Sequence, residues 1–328
     1  MFGMNFLLYP EIETEPSPYP GDSLDDAVVW YNVENPGQSL VLTTLKASNQ
    51  RPVLPTGILT YDLQGNQQQF LKGGTPNNID LRSGFPSGDQ KKSLIAASHW
   101  YTGKVGLYQL DDTLMLKEHK LFDTGVDKLH GLCMGKLNDQ FFYFAIGGTG
   151  TIERYRIVDL NEVILEGRWQ LESESEGCVV DEVGNRVYIA EENRGIWYLP
   201  LNPSDNTQPT LLDHVRFFGP LTEGIEGLAI LKDGEQRYLV ASVQEKSRFA
   251  VYNLKTNLYV ASFRINPKGS IDGVTKTDGV EIMNRPLGAQ FPEGLMVVHD
   301  DENEPQSNQS FKYVSRGYLL DAIREDAN

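Results

Sequence analysis

A strand-like run with a central tyrosine recurs along this chain, at residues 58–63, 105–110, 152–157, 195–199 and 249–254. The tyrosines are Tyr61, Tyr108, Tyr155, Tyr198 and Tyr252, spaced 47, 47, 43 and 54 residues apart, and residues 311–314 offer a sixth copy around Tyr313. A period of about 40–50 residues in a chain of strands is the length of one propeller blade, a four-stranded sheet stacked on its neighbours around a channel. Two packed sheets predict no such period. Five or six copies fill the 328 residues. Further runs rich in Val, Ile, Leu, Tyr and Phe lie at 27–30, 40–45, 94–98, 141–146, 187–190, 238–243 and 295–298. Asp181-Glu182-Val183-Gly184-Asn185 and Lys232-Asp233-Gly234-Glu235 read as hairpin turns. Helical periodicity is nearly absent, and one short helix is expected around 319–324. The expected fold class is all-β, a propeller forming a single domain over residues 1–328, with a C-terminal tail at 315–328.

Acidic residues, often beside glycine, stand where those strands should end: Asp25-Asp26, Asp80, Glu176-Gly177, Glu226-Gly227, Asp272-Gly273, Asp278-Gly279 and Asp300-Asp301. Glycine lets a loop turn sharply and expose its carbonyls. A carboxylate adds a hard anionic oxygen, and several such loops together make oxygen cages suited to Ca²⁺. Any one pair also fits an ordinary turn; recurrence at seven segments is what points to calcium. In a propeller, loops at one end of the blades meet around the channel, so carboxylates distant in sequence converge.

The balance of 29 basic to 45 acidic residues gives a formal charge of −16. It argues against nucleic acid or an anionic membrane as partner. It suits bound cations, and equally a plain acidic surface. No apolar run approaches the roughly 18 residues of a membrane span. The first ten residues hold Phe6-Leu7-Leu8 but no basic start and no full apolar stretch, so no signal peptide is read there. Cys133 and Cys178, 45 positions apart, make neither a zinc site nor a disulfide framework. Two buried thiols and one bridge both fit.

The most specific segment is Ser175-Glu176-Gly177-Cys178-Val179-Val180-Asp181-Glu182, continuing through Val187-Tyr188-Ile189-Ala190-Glu191-Glu192 to Gly195-Ile196-Trp197. Around it stand, in order, Glu13-Thr14-Glu15-Pro16, Asp25-Asp26-Ala27-Val28-Val29-Trp30, Asn77-Asn78-Ile79-Asp80-Leu81-Arg82, Ile225-Glu226-Gly227-Leu228, Lys276-Thr277-Asp278-Gly279-Val280 and Asn308-Gln309-Ser310-Phe311-Lys312. The set resembles the bacterial β-propeller phytases over nearly the whole chain. The resemblance implies a six-bladed, calcium-dependent phosphatase that releases phosphate from phytate, myo-inositol hexakisphosphate. It implies structural calcium sites that clamp the chain ends and a blade, with residues 1–20 as extension and clasp; these map to Glu13, Asp26, Asp80, Asp272, Gly273 and Asp300. It also implies a catalytic calcium group at the top of the channel, mapping to Glu176, Glu192, Glu226 and Asp278. Lys46, Arg82 and His130 are the candidate phosphate-binding residues. A monomer, secreted or periplasmic, is expected from the same resemblance. Phytate and this chain are both anionic, and divalent cations held by carboxylates invert the local field. No Ser-His-Asp elbow and no His-rich phosphatase motif is present.

Departures from the family pattern fall on the site. His99-Trp100 stands where the family has Asn-Arg, and Ile146-Gly147-Gly148 where it has Thr-Gly-Lys. Gly224-Ile225-Glu226-Gly227 replaces Asp-Ile-Glu-Gly, and His130-Gly131 replaces a tyrosine before glycine. Paired lysines survive as Lys46 alone, before an insertion at 49–55. Each charge-assisted bond to phosphate contributes roughly 1.5–3 kcal/mol, so Arg82, Arg194, Lys128 or His99 would have to substitute. The alternatives are a propeller that binds calcium and phosphate or phytate without turnover, and a lactonase-like propeller, which the motif order disfavours.

Overall fold

The computed structural model describes residues 4–46, 54–204, 206–305 and 308–325 and arranges them as six sheets around one channel. From channel to rim, blade 1 comprises Leu24–Trp30, Leu40–Leu45, Gly57–Tyr61 and Gln67–Lys72. Blade 2 comprises Pro76–Ser87, Gln90–His99, Lys104–Leu110 and Leu116–Asp123. Blade 3 comprises Leu129–Leu137, Gln140–Gly147, Thr151–Asp159 and Glu162–Gln170. Blade 4 comprises Ser175–Asp181, Arg186–Glu191, Gly195–Pro200 and Thr210–His214. Blade 5 comprises Ile225–Asp233, Gln236–Val243, Arg248–Asn253 and Leu258–Ile265, and gains Met4–Leu8 as a parallel rim strand. Blade 6 takes Val280–Met283, Leu295–Asp300 and Ser310–Ser315 from the chain's end and its rim strand, Ile12–Glu13, from the chain's start. Ile12 lies opposite Tyr313 and Glu13 opposite Lys312. The ring is therefore closed by pairing the two ends. A helix at Arg316–Glu325 covers the predicted 319–324.

The recurring tyrosine marks the third strand of every blade, Tyr313 included. Its ring is buried in five blades and half-buried as Tyr198 in the other. Six apolar clusters appear among the described residues, and each spans one pair of neighbouring blades. Blades are thus covered on both faces, so strands such as Leu40–Leu45 are buried throughout and show no alternation. That is why blade period, rather than two-residue periodicity, carries the fold in this sequence.

In five blades the inner strand begins with a break in pairing register, at Leu24/Ala27, Pro76/Ile79, Leu129/Gly131, Ser175/Cys178 and Ile225/Leu228. The residues freed from pairing are Asp25 and Asp26, Asn77 and Asn78, His130, Glu176 and Gly177, and Glu226 and Gly227. A bulge bends a strand and re-aims its side chains. Here it delivers a polar side chain to one end of the channel from blade after blade. Glycine follows because the next blade comes too close for a Cβ: at Gly177 it would strike the Glu226 carbonyl, and at Gly227 the Asp278 carbonyl. The Gly227 N–H instead donates to that Asp278 oxygen at 2.8 Å. The recurrent Glu-Gly pair is one device: the acid enters the channel mouth and the glycine seats the neighbouring blade.

Cys133 and Cys178 form a disulfide between the inner strands of blades 3 and 4, inside their shared apolar cluster. This answers the question that the sequence left open. The bridge closes a loop with a sequence separation of 45, for which chain entropy gives about 4 kcal/mol. The Cys133→Ser, Cys178→Ser protein is expected to unfold at clearly lower urea concentration, by up to that amount. An unchanged midpoint would mean that blade packing alone fixes this seam.

Candidate metal centre

Glu176, Glu192 and Glu226 bring one carboxylate oxygen each to within 4.8 Å of one another at the end of the channel where the inner strands begin. Glu176 and Glu226 come from the bulged starts of blades 4 and 5, and Glu192 from the loop after the second strand of blade 4. Asp278, just before the inner strand of blade 6, and Asp25, from blade 1, complete the ring. Together with Asp22, Lys46, Gln244, Lys276, Asp301 and Gln309, four of these acids enclose a cavity of about 180 Å³.

Neutral donors and cations hold the ring from behind. Asn77 Nδ2 donates to Glu176 Oε1 at 2.6 Å and to Asp25 Oδ2 at 3.1 Å. His130 Nδ1 lies 3.5 Å from both Glu174 Oε1 and Glu176 Oε2, with Trp100 edge-on to its ring at 5.8 Å. Gln244 donates to Asp278, whose own N–H donates to His299 Nδ1 at 3.2 Å. Lys46 Nζ reaches Asp25 at 2.6 Å, Asp22 at 3.1 Å and Asp278 at 3.7 Å.

The electrostatics show what the ring lacks. Burial, then the charges of Glu176, Glu192, Asp278 and Asp25, push the Glu226 carboxyl well above its usual range. Burial and the carboxylates of Glu176 and Glu174 raise Glu192 to about 8. Burial also raises Asp25 and Asp278, against the pull of Lys46 on the first and of His299 and Lys46 on the second. Glu176 alone is held low: burial acts upward, but the adjacent His130 imidazole and the Lys46 charge outweigh it. His130 is raised in turn, because Glu176, Glu174 and Glu192 overcome its burial. Crowded carboxylates that disfavour their own ionisation are the complement of a multivalent cation. The three-glutamate cluster fits a hard divalent ion by both donor type and charge.

The other expected ligands go to two different places. Glu13, Asp272 and Asp300 meet at the clasp, around the Lys312 ammonium, which is 0% exposed. Lys312 Nζ is 3.1 Å from Glu13, 3.0 Å from Asp300 and 2.7 Å from the Asn303 amide oxygen, and also bonds Asp272. Three carboxylates against one ammonium leave two negative charges, which a divalent ion beside Lys312 would match. Gly273 follows Asp272 in that loop. Asp26 and Asp80 instead face a lower chamber of about 370 Å³ in the channel, with Glu281 and Arg82. Asp26 accepts from Ile79 N at 3.0 Å and Asn78 Nδ2 at 3.2 Å, and Asp80 from Met134 N at 2.7 Å.

Of the expected phosphate-binding residues, Lys46 and His130 stand at the mouth and Arg82 does not. Arg82 lies five residues beyond Asn77 on the same inner strand, about 15 Å further along the channel. Its guanidinium is bound to Asp80 at 2.9 Å and Glu182 at 2.7 Å. Of the suggested substitutes, His99 is likewise engaged. His99 is buried, with Nδ1 accepting from Thr75 N at 3.0 Å and Nε2 at 2.7 Å from the Tyr108 hydroxyl. Arg194 pairs with Glu172 at 2.8 Å. The Lys128 stem lies over Gly148, close to Glu174.

Sequence reasoning passed over Asp22, Asn77 and Lys276 as site residues; of the Asp25-Asp26 pair it mapped only Asp26, to a structural calcium site, and Asp25 is the one that faces the mouth. Adjacent residues at a strand end need not face the same way, and three doubled acids here are split between two places. Asp25 goes up and Asp26 down; Asp301 lines the mouth and Asp300 the clasp. Glu192 joins the cluster, while buried Glu191 accepts from Glu172 N, Ser173 N, Ser173 Oγ and Trp197 Nε1 and so shapes the loop leading to Glu176. The available signal was the bulge pattern itself, an acidic or amide pair opening an inner strand.

Comparison with known proteins agrees with this arrangement. The sequence model of the family described as Phytase matches residues 3–328. The chain is 32% identical over 330 residues to the 3-phytase of Bacillus subtilis (strain 168), spanning 95% of this chain and 84% of that protein. Among solved structures, a functionally unknown protein from Desulfotomaculum acetoxidans DSM 771 superposes with a TM-score of 0.52 at 14% identity, over 71% of this chain and 69% of its own. A Lactobacillus plantarum protein gives 0.52 at 12% identity, over 86% and 79%. These two share the fold alone. Closure of six blades by the chain's own ends, the acidic mouth, and a match running nearly end to end lead to one conclusion: this chain belongs to the β-propeller phytase family.

Proposed function

We propose that this protein is a calcium-dependent phosphomonoesterase that releases phosphate from phytate. The observation that carries the reading is the Glu176, Glu192 and Glu226 cluster, whose oxygens crowd within 4.8 Å at the channel mouth. Calcium held there would supply positive charge to phosphate oxygens and acidify the water that attacks phosphorus. The chain's part is to hold and orient. Asn77 fixes Glu176; Gln244 and His299 fix Asp278. His130, drawn towards its charged form by the glutamates around it, is a phosphate contact on the blade 3 side. Lys46 offsets Asp25, Asp22 and Asp278 and offers its ammonium to phosphate from blade 1. Glu13, Asp272 and Asp300 at the clasp, with the Gly273 carbonyl, and Asp26 and Asp80 in the channel are the structural calcium ligands in this reading. The protein acts as a monomer, secreted or periplasmic; the disulfide suits an oxidising compartment.

A second reading is a propeller that binds calcium and phytate without turnover. It is favoured by the commitment of Lys46 to three carboxylates and by the engagement of Arg82 and Arg194 elsewhere. One assay separates the two. Phosphate release from phytate in millimolar calcium, abolished by EDTA and restored by added calcium, is the expected result. Calcium-dependent binding without release would establish the second reading.

A further inference from the structure

The cations at the mouth are unequally committed. Lys46 is 15% exposed and bound by Asp25, with Asp22 and Asp278 close by. His130 is wedged between Glu174, Glu176 and the Trp100 ring. Lys276, which lines the same cavity from the loop entering blade 6, is 49% exposed. Its nearest anions are Glu302 at 3.5 Å and Asp301 at 3.9 Å, themselves 64% and 30% exposed. Exposed pairs of this kind contribute about 0–1 kcal/mol, so the ammonium can leave them at little cost.

The root of this side chain is fixed while its head is held only by exposed pairs. Lys276 has φ +39°, a conformation that places its side chain off the ordinary strand path. Its N–H donates to Ser247 Oγ at 3.1 Å, and the next carbonyl, that of Thr277, accepts from Ser242 Oγ at 2.6 Å. Asp278, in the acidic ring, is two residues further on. A mobile point charge on an anchored stem, beside a cluster fitted to divalent ions, is suited to meeting a phosphate from a range of directions.

We propose that Lys276 is the substrate-gripping cation of this site, binding a phosphate group of the ligand from the blade 6 side. The inference rests on the phytate-hydrolysis reading and names the residue that supplies its binding strength. A cation that grips a phosphate other than the reacting one contributes to binding rather than to the chemical step.

The test is steady-state kinetics on phytate at saturating calcium with wild type, Lys276→Met and Lys276→Arg. The methionine retains the stem and removes the charge. Its KM is expected to rise about tenfold, equivalent to about 1.4 kcal/mol, with kcat within about twofold of wild type. The arginine variant should stay close to wild type, and all three should share one thermal midpoint. An unchanged KM, a loss confined to kcat, or a lower calcium requirement as the only effect would overturn the inference; the last would mean that Lys276 merely offsets the charge of the mouth. If wild type releases no phosphate, the hydrolysis reading fails separately. Calorimetry with inositol hexasulfate in calcium then decides the role of Lys276. Binding weakened about tenfold in Lys276→Met supports it; equal affinity, or no binding to wild type, overturns it.

Discussion

Replacing Glu226 with glutamine is expected to lower phosphate release by about a hundredfold or more and, in EDTA, to raise the thermal midpoint. The two effects have one cause. Glu226 is surrounded by the carboxylates of Glu176, Glu192, Asp278 and Asp25, and burial adds to their repulsion. A neutral amide of nearly the same shape removes one of the carboxylate oxygens proposed to bind metal and also removes the repulsion. A merely structural glutamate would lose stability on this change, and an irrelevant one would alter neither quantity. Calcium should reverse the stability order, because only the wild-type mouth regains a full donor set.

The same repulsion sets the pH dependence of the metal-free protein. Glu226 is raised well above its usual range, Glu192 and Glu281 to about 8, and Asp26 to about 7. Such groups bind more protons folded than unfolded between the ordinary carboxylate range and those raised values. Stability must therefore fall as pH rises through that window. In EDTA the thermal midpoint is expected to be lower at pH 8.5 than at pH 5.5, and added calcium should flatten the slope. A midpoint that climbs over this range would show that the carboxylates are compensated in some other way.

Lys312→Met is expected to destabilise the protein by about 3–5 kcal/mol, the usual cost of removing one partner from a buried ionic cluster. Without the ammonium, Glu13, Asp272 and Asp300 would face one another with no cation from the chain. Glu13 belongs to the rim strand Ile12–Glu13 that closes blade 6, so the damage reaches the seam of the ring. Thermal unfolding in EDTA should reveal the full loss, and calcium should restore part of it. A variant as stable as wild type would mean that closure rests on the backbone pairing of that strand alone.

The blades were legible because their signal is local and repeated: each third strand carries its tyrosine within a few apolar residues, and the turns at 181–185 and 232–235 name themselves. The acids were legible as a set, because in four of the five blades whose pairing slips the inner strand opens with Asp, Asn or Glu. Their destinations were not. Whether Asp25 or Asp26 faces the mouth depends on a bulge that only the partner strand fixes. Arg82 reads as a cation near a phosphate site, yet an inner strand of twelve residues carries it down the channel to Asp80 and Glu182. Lys312 looks like a strand residue until Glu13, from the other end of the chain, is set opposite it. The disulfide likewise depends on two blades standing side by side. Most of the insertion at 49–55 lies outside the described residues.

The mouth of the ring is the proposed seat for divalent metal. The most direct measurement is an anomalous difference map from crystals grown in millimolar calcium. It should show at least one ion between Glu176, Glu192 and Glu226, with their oxygens drawn to about 2.3–2.6 Å from it. A well-ordered mouth that holds no ion, with those three side chains turned apart, would contradict it.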